Sequence, residues 1–172
     1  HIAPHFPLTV PRRHYEKYQG RVPMPDLPEG WFESLPLNYR QHIRGFGNEG
    51  SGEATTRMGR ECYWALVDWY DEQIGRLLEG LDDSRVGDNT IVIYCSDHGE
   101  NKGDHGMWWK NVMYDHSARV PLIVRWPERL AGGQRRTQVC SLVDVVQTLI
   151  DIAGGECPAD WDGDSLLPVL DD

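Results

Sequence analysis

TIVIYCSDHGENKGDHGMWWK, residues 90–110, decides how the rest of the chain is read. Its opening, residues 90–95, is β-branched or apolar nearly throughout, which predicts a short, fully buried strand. The run then breaks into Ser96-Asp97-His98-Gly99, repeats an Asp-His-Gly triplet at 104–106 and finishes on Lys110 behind Trp108 and Trp109. In open α/β sheets ligands gather just beyond the carboxyl ends of the strands, and Asp97 and His98 fall there. Asp97 supplies a hard oxygen donor and His98 a borderline nitrogen, while Gly99 is expected to let the backbone turn so that both reach one point. A plainer reading also fits these residue types: Asp97 caps a turn and His98 is a polar loop residue. For Asp104-His105-Gly106 the expectation is a loop ordered by hydrogen bonds of His105, and for His116 a packing role before the next strand. The rings of Trp108 and Trp109 are expected to shield the Lys110 ammonium and hold it as a point charge for an oxyanion.

The flanking sequence sets this stretch in an α/β framework. Upstream, residues 53–81 carry Cys62, Leu66, Trp69, Ile74, Leu77 and Leu81 at nearly helical spacing, and Asp82-Asp83-Ser84 closes that helix. Downstream, residues 120–126 read as a second buried strand stopped by Pro127. Ser141 then serves as N-cap, Asp144 stands three residues on in the capping-box position, and Gly154 terminates an apolar helix. Helix, strand, polar loop, strand, helix is the order of an α/β sheet. Near the start, Pro4, Pro7 and Pro11 surround His5 and predict a stiff, extended loop. Residues 20–52, rich in proline and glycine, read as a long irregular excursion whose Trp31, Phe32, Tyr39 and Phe46 favour an ordered surface.

Composition excludes several functions. With 27 acids against 17 bases the net charge is −10, which argues against a nucleic-acid partner. No apolar run is long enough to span a membrane. Cys62, Cys95, Cys140 and Cys157 are too scattered for a zinc knuckle or a disulfide framework and read as buried free thiols. Hydrophobic residues make up 40%, so the chain is expected to be loop-rich or to pack against something else. The cellular location stays open.

Taken in order, PHFPL, DEQIGRLLEGL before GDNTIVIYCSDHGE, GDHGMWWK, DHSARVPLIVRWP, SLVDVVQTLIDIAG and DGDSLLPVL resemble the sulfatase branch of the alkaline phosphatase superfamily, which includes arylsulfatases, choline sulfatases and phosphonate monoester hydrolases. The resemblance spans nearly the whole chain. It implies an alkaline-phosphatase-like mixed sheet flanked by helices, present as a partial domain, and a hydrolase of sulfuric esters, with phosphonate or phosphodiester hydrolysis as the rival activity. It implies Asp97 and His98 as ligands of one divalent cation, calcium first with manganese or zinc as alternatives. It also implies Lys110 as the residue gripping sulfate and His5 as the histidine near the leaving oxygen. His105 and His116 are carried over only as loop or supporting residues. The family's C-x-P-x-R or S-x-P-x-R motif, source of the formylglycine nucleophile, is absent, as are two further acidic ligands. Residues 1–172 are therefore expected to be the C-terminal portion of a catalytic domain, inactive alone. The nucleophile-bearing half and a C-terminal subdomain are expected to be missing, and residues 20–52 to form a substrate-side loop. A chain cut in this way is expected to self-associate through sheet edges and apolar faces. A non-catalytic binding module remains the alternative from another class.

Overall fold

The computed structural model describes residues 3–48 and 51–171, and the chain folds as two compact units. One comprises the residues up to Arg85 together with His98–Pro121; the other comprises Val86–Asp97 and the residues from Leu122 onward.

The first unit is helical. α1 (Arg12–Tyr18) starts directly after Pro11, whose fixed φ suits the entry to a helix, and is followed by Gly20 at φ 70°. α2 (Trp31–Ser34) and α3 (Leu37–Gly45) lie within the stretch expected to be irregular, so that expectation is corrected. The physical reason is burial: Ile43 packs into a cluster with Met107 and Val112, and Trp31, Phe32, Leu35 and Tyr39 close over it. Full burial of side chains of this size stabilises by about 1.5–3 kcal/mol each, enough to order short helices of weak intrinsic propensity. α4 (Glu53–Asp82) agrees closely with the predicted helix; Glu53 lies in its first turn and bonds Arg57 at 2.7 Å. Its apolar stripe is buried at Ala65 and Leu66 and emerges into solvent at Leu77. α5 (Asp115–Ala118) is a single turn in the same unit.

α1 packs on α4 through polar contacts. The buried His14 sets Nδ1 2.5 Å from Asp68 and Nε2 3.0 Å from Glu72. Lys17 reaches Asp68 at 2.7 Å, and Arg13 grips both Glu72 oxygens at 2.9 Å. The buried Glu61 accepts from the Tyr15 hydroxyl at 2.9 Å and from the Gly20 N–H at 2.8 Å. Burial of these groups is tolerated because each is paired.

In the second unit β1 (Val92–Cys95) and β2 (Leu122–Arg125) pair antiparallel, Val92 opposite Arg125 and Cys95 opposite Leu122. Both are shorter than predicted and neither is fully buried. Ile93, Leu122 and Val124 share one face with Val145, Ile152, Leu166 and Leu170, whereas Ile123 on the other face is exposed. α6 (Leu142–Ile152) begins at the predicted capping box: Asp144 accepts the Ser141 N–H at 2.6 Å, and its second oxygen accepts the Asp164 N–H at 3.0 Å. Thr148, also buried, accepts the Leu166 N–H at 2.8 Å, tying down the approach to α7 (Leu167–Asp171). Gly154 ends α6 at φ 72°, as predicted.

The cysteine expectation is corrected. All four thiols are free, but Cys95 and Cys140 are exposed and Cys62 and Cys157 only half-buried, because they lie on strand ends and helix flanks rather than in the small cores. Among the described residues no helix is long and apolar enough to cross a membrane.

Candidate functional site

The loop after β1 is built around backbone contacts in the first unit. Gly99 donates its N–H to the Ser117 carbonyl at 2.7 Å, and a Cβ placed on it would lie 2.1 Å from the His116 oxygen. Its expected role as a sharp turn is thus corrected: Gly99 is needed because another backbone approaches where a side chain would stand. Glu100 and Asn101 then clamp Trp109. The Glu100 carboxylate accepts the Trp109 N–H at 2.6 Å, and the fully buried Asn101 donates to the Trp109 carbonyl from its backbone N–H at 3.0 Å and from its side-chain amide. Held at both peptide groups, Trp109 keeps the left-handed φ of 70°, a conformation rare outside glycine. Sequence reading missed both clamp residues, since a polar pair in a loop carries no periodic signal.

This backbone aims Lys110. Its ammonium lies 2.6 Å from His5 Nε2, joining residues 105 positions apart, and 5.4 Å from the centre of the Phe6 ring. The cation is therefore shielded by Phe6, which in turn packs on Trp109 at 4.4 Å; the expectation that the two tryptophans would shield it directly is corrected. Ser117, buried, donates its hydroxyl to the Lys110 carbonyl. His5 Nδ1 faces the Phe6 carbonyl at 2.9 Å, and since a carbonyl only accepts, Nδ1 carries the proton and Nε2 accepts from Lys110. The segment around His5 is a loop, as predicted, but a turn and bend replace the extended backbone expected there.

The His98 ring stands 6.0 Å from that of His5, and its Nδ1 lies 2.9 Å from the Gly99 carbonyl. By the same donor argument Nδ1–H donates there, which sets the tautomer with Nε2 as the basic nitrogen. Asp97, in the other unit, is an exposed carboxylate. Among the described residues no group of three or more His, Cys, Asp or Glu side chains is arranged to hold a metal ion.

The second Asp-His pair divides its roles differently from expectation. His105, at φ 55°, stacks on Tyr114 at 3.9 Å, while the ordering of the loop falls to Asp104. Asp104 pairs with Arg60 at 3.1 Å and faces His116 Nε2 at 3.6 Å. Arg60, only 5% exposed in the first third of α4, also donates to the carbonyls of Pro23 and Lys102 at 2.8 Å each. It fastens the loop to the helix, and its cue in the sequence is faint, an arginine beside the apolar stripe. Lys102, half-buried 5.4 Å from the Tyr63 ring centre, is pushed below the ordinary lysine range by desolvation.

The chain is 32% identical over 180 residues to a choline-sulfatase of Rhizobium meliloti, covering 97% of this chain and 33% of that protein. It is 43% identical over 109 residues to an N-acetylglucosamine-6-O-sulfatase of Bacteroides thetaiotaomicron, covering 63% of this chain and 20% of that protein. Among solved structures, a phosphonate monoester hydrolase from Silicibacter pomeroyi superposes with a TM-score of 0.88 at 28% identity, over 98% of this chain and 35% of the other. The α/β fold expected from the resemblance is thus shared, as a partial domain, and the chain spans about a third of the length of the choline-sulfatase. The family model that matches, over residues 1–155, is the one described as Sulfatase, and the chain belongs to the sulfatase family.

Proposed function

We propose that this chain is part of a metal-dependent hydrolase of sulfuric esters, in which Lys110 and His5 grip and process the ester and Asp97 and His98 contribute ligands to one divalent cation. The observation that carries the reading is the 2.6 Å contact between Lys110 Nζ and His5 Nε2. Ester cleavage concentrates negative charge on the sulfonyl oxygens and on the departing oxygen, so a fixed cation beside a proton-bearing imidazole stabilises both. Lys110, with Phe6 on one side, holds its charge ready for a sulfonyl oxygen. His5 Nε2, which accepts from Lys110, must take up a second proton before the ring donates toward the leaving oxygen. The donor set fits a metal in kind: a carboxylate oxygen of Asp97 and the imidazole of His98, whose Nδ1–H bond to the Gly99 carbonyl sets its tautomer. The cation would supply Lewis-acid stabilisation of the same oxygens, with calcium as first choice and manganese or zinc favoured by imidazole. The nucleophile and further ligands belong outside these residues, which form the C-terminal portion of the catalytic domain. Alone they turn over no substrate and self-associate through exposed apolar residues such as Ile123 and Leu149.

The test uses the full-length protein. Lys110→Ala should lower kcat/KM for 4-nitrophenyl sulfate by about 10²–10³-fold, and an unchanged rate would remove the reading. The second reading, a phosphonate monoester hydrolase, is favoured by the superposition on the Silicibacter enzyme. A large preference for 4-nitrophenyl phenylphosphonate over the sulfate in the same assay would select it.

A further inference from the structure

We propose that Lys102, which the reaction at Lys110 and His5 does not use, is an acyl-acceptor site: its amine takes a short uncharged acyl group from an activated donor, an acyl phosphate or a thioester. Lysine is scarce in this chain, three residues against fourteen arginines, and the three sit in different surroundings. Lys17 bonds Asp68 at 2.7 Å, which raises it above the ordinary lysine range. Lys110 lies against His5. Lys102 is half-buried, and the partners of its ammonium are the Glu100 carbonyl and, 5.4 Å away, the centre of the Tyr63 ring. Neither is an anion.

Two carboxylates stand near, yet both are engaged elsewhere. Asp104 pairs with Arg60 at 3.1 Å, and one Glu100 oxygen accepts the N–H groups of Lys102 at 3.2 Å and of Trp109 at 2.6 Å. From α4 the amine is faced by the Tyr63 ring and by Arg60, a permanent cation that also donates to the Lys102 carbonyl at 2.8 Å. Desolvation first, and the Arg60 charge with it, outweigh the pull of Asp104 and Glu100 and hold the amine below the ordinary lysine range. A lysine dried out beside another cation is activated as a nucleophile, because more of it is free amine. It is also fixed in place. Its N–H bonds the Glu100 side chain while its own side chain bonds the Glu100 carbonyl, a two-way tie that holds Lys102 at the left-handed φ of 55°.

The same surroundings choose the electrophile. A site that disfavours positive charge on Nζ is relieved by a product without one. An amide is uncharged and keeps one N–H for the Glu100 carbonyl, whereas the imine formed from an aldehyde stays basic. A negatively charged acyl group would meet the carboxylates of Glu100 and Asp104. In the step itself the Nζ lone pair bonds the acyl carbon, and the C–O bond to phosphate or the C–S bond to the thiol breaks. The electron pair of that bond leaves with the phosphate or thiolate, and the extra proton on Nζ passes to water.

The experiment is competitive trace acetylation of the folded full-length protein with acetic anhydride across a range of pH, read by peptide mass spectrometry at Lys17 and Lys102. Lys102 is expected to react several-fold faster than Lys17 at neutral pH, and its rate to level off at a lower pH. In urea sufficient to unfold the protein the two should react alike, because the advantage comes from the folded surroundings. Acetyl phosphate and acetyl-CoA are then supplied separately, and the donor that labels Lys102 names the acyl source. Lys102 labelled no faster than Lys17 in the folded protein overturns the inference, as does an advantage that persists in urea. Labelling by the anhydride but by neither biological donor overturns it too. Each of these results is independent of whether Lys110→Ala abolishes sulfate ester cleavage.

Discussion

At the scale of single residues the decisive contacts are those of Arg60, Gly99 and the Trp109 clamp. Arg60 satisfies Asp104 and two carbonyls from a position almost sealed from water, so removing it strands a carboxylate and two acceptors. Arg60→Ala should cost about 3–5 kcal/mol, read as a lower urea midpoint at unchanged m-value. Arg60→Met with Asp104→Asn should recover part of that loss, because the uncompensated charge is gone. Gly99→Ala forces a methyl against the His116 carbonyl and should destabilise by about 1–3 kcal/mol in the same measurement. None of these three roles was visible beforehand. Asp104-His105 invited attention to the histidine, whereas in the fold the aspartate receives the buried cation and the histidine only stacks.

At the scale of elements, α6 and the α1–α4 pair behave oppositely under mutation and acid. Ser141→Ala removes one cap bond and should cost about 1 kcal/mol. Asp144→Ala should cost more, since that carboxylate also holds the Asp164 N–H; thermal unfolding of the two variants checks the order. In the α1–α4 contact, Lys17 and His14 hold the Asp68 carboxyl below its ordinary 3.8, and Arg13 holds Glu72 below its ordinary 4.5. A carboxyl depressed by folding contributes stability that is present above its unfolded value and is lost as pH falls through the folded value. Stability should therefore drop between about pH 5 and about pH 2, and Asp68→Asn should flatten that slope. Asp68 is 26% and Glu72 40% exposed, so solvent screening reduces the effect. The α6 cap was legible because its bonds are local, three residues apart; the α1–α4 pairing was not, because it joins residues more than forty apart in sequence with no shared pattern.

At the scale of the whole chain, the exposed face of α6 and the outer face of the sheet carry Val146, Leu149 and Ile123 at 42–59% exposure. Sedimentation velocity should show concentration-dependent association of residues 1–172, reduced by Leu149→Glu; a monomer at every concentration would overturn the proposed self-association. Local interactions, written within a few residues, were enough to set the limits of α4 and α6, the two strand cores and the polar loop between them. The expectation of full strand burial failed because burial depends on what covers each face, which no strand encodes by itself. What the tertiary structure alone decided is the meeting of His5 with Lys110 across 105 residues. That meeting depends on Glu100 and Asn101 holding Trp109 in a left-handed conformation, and such a hold exists only when the chain has already closed on itself.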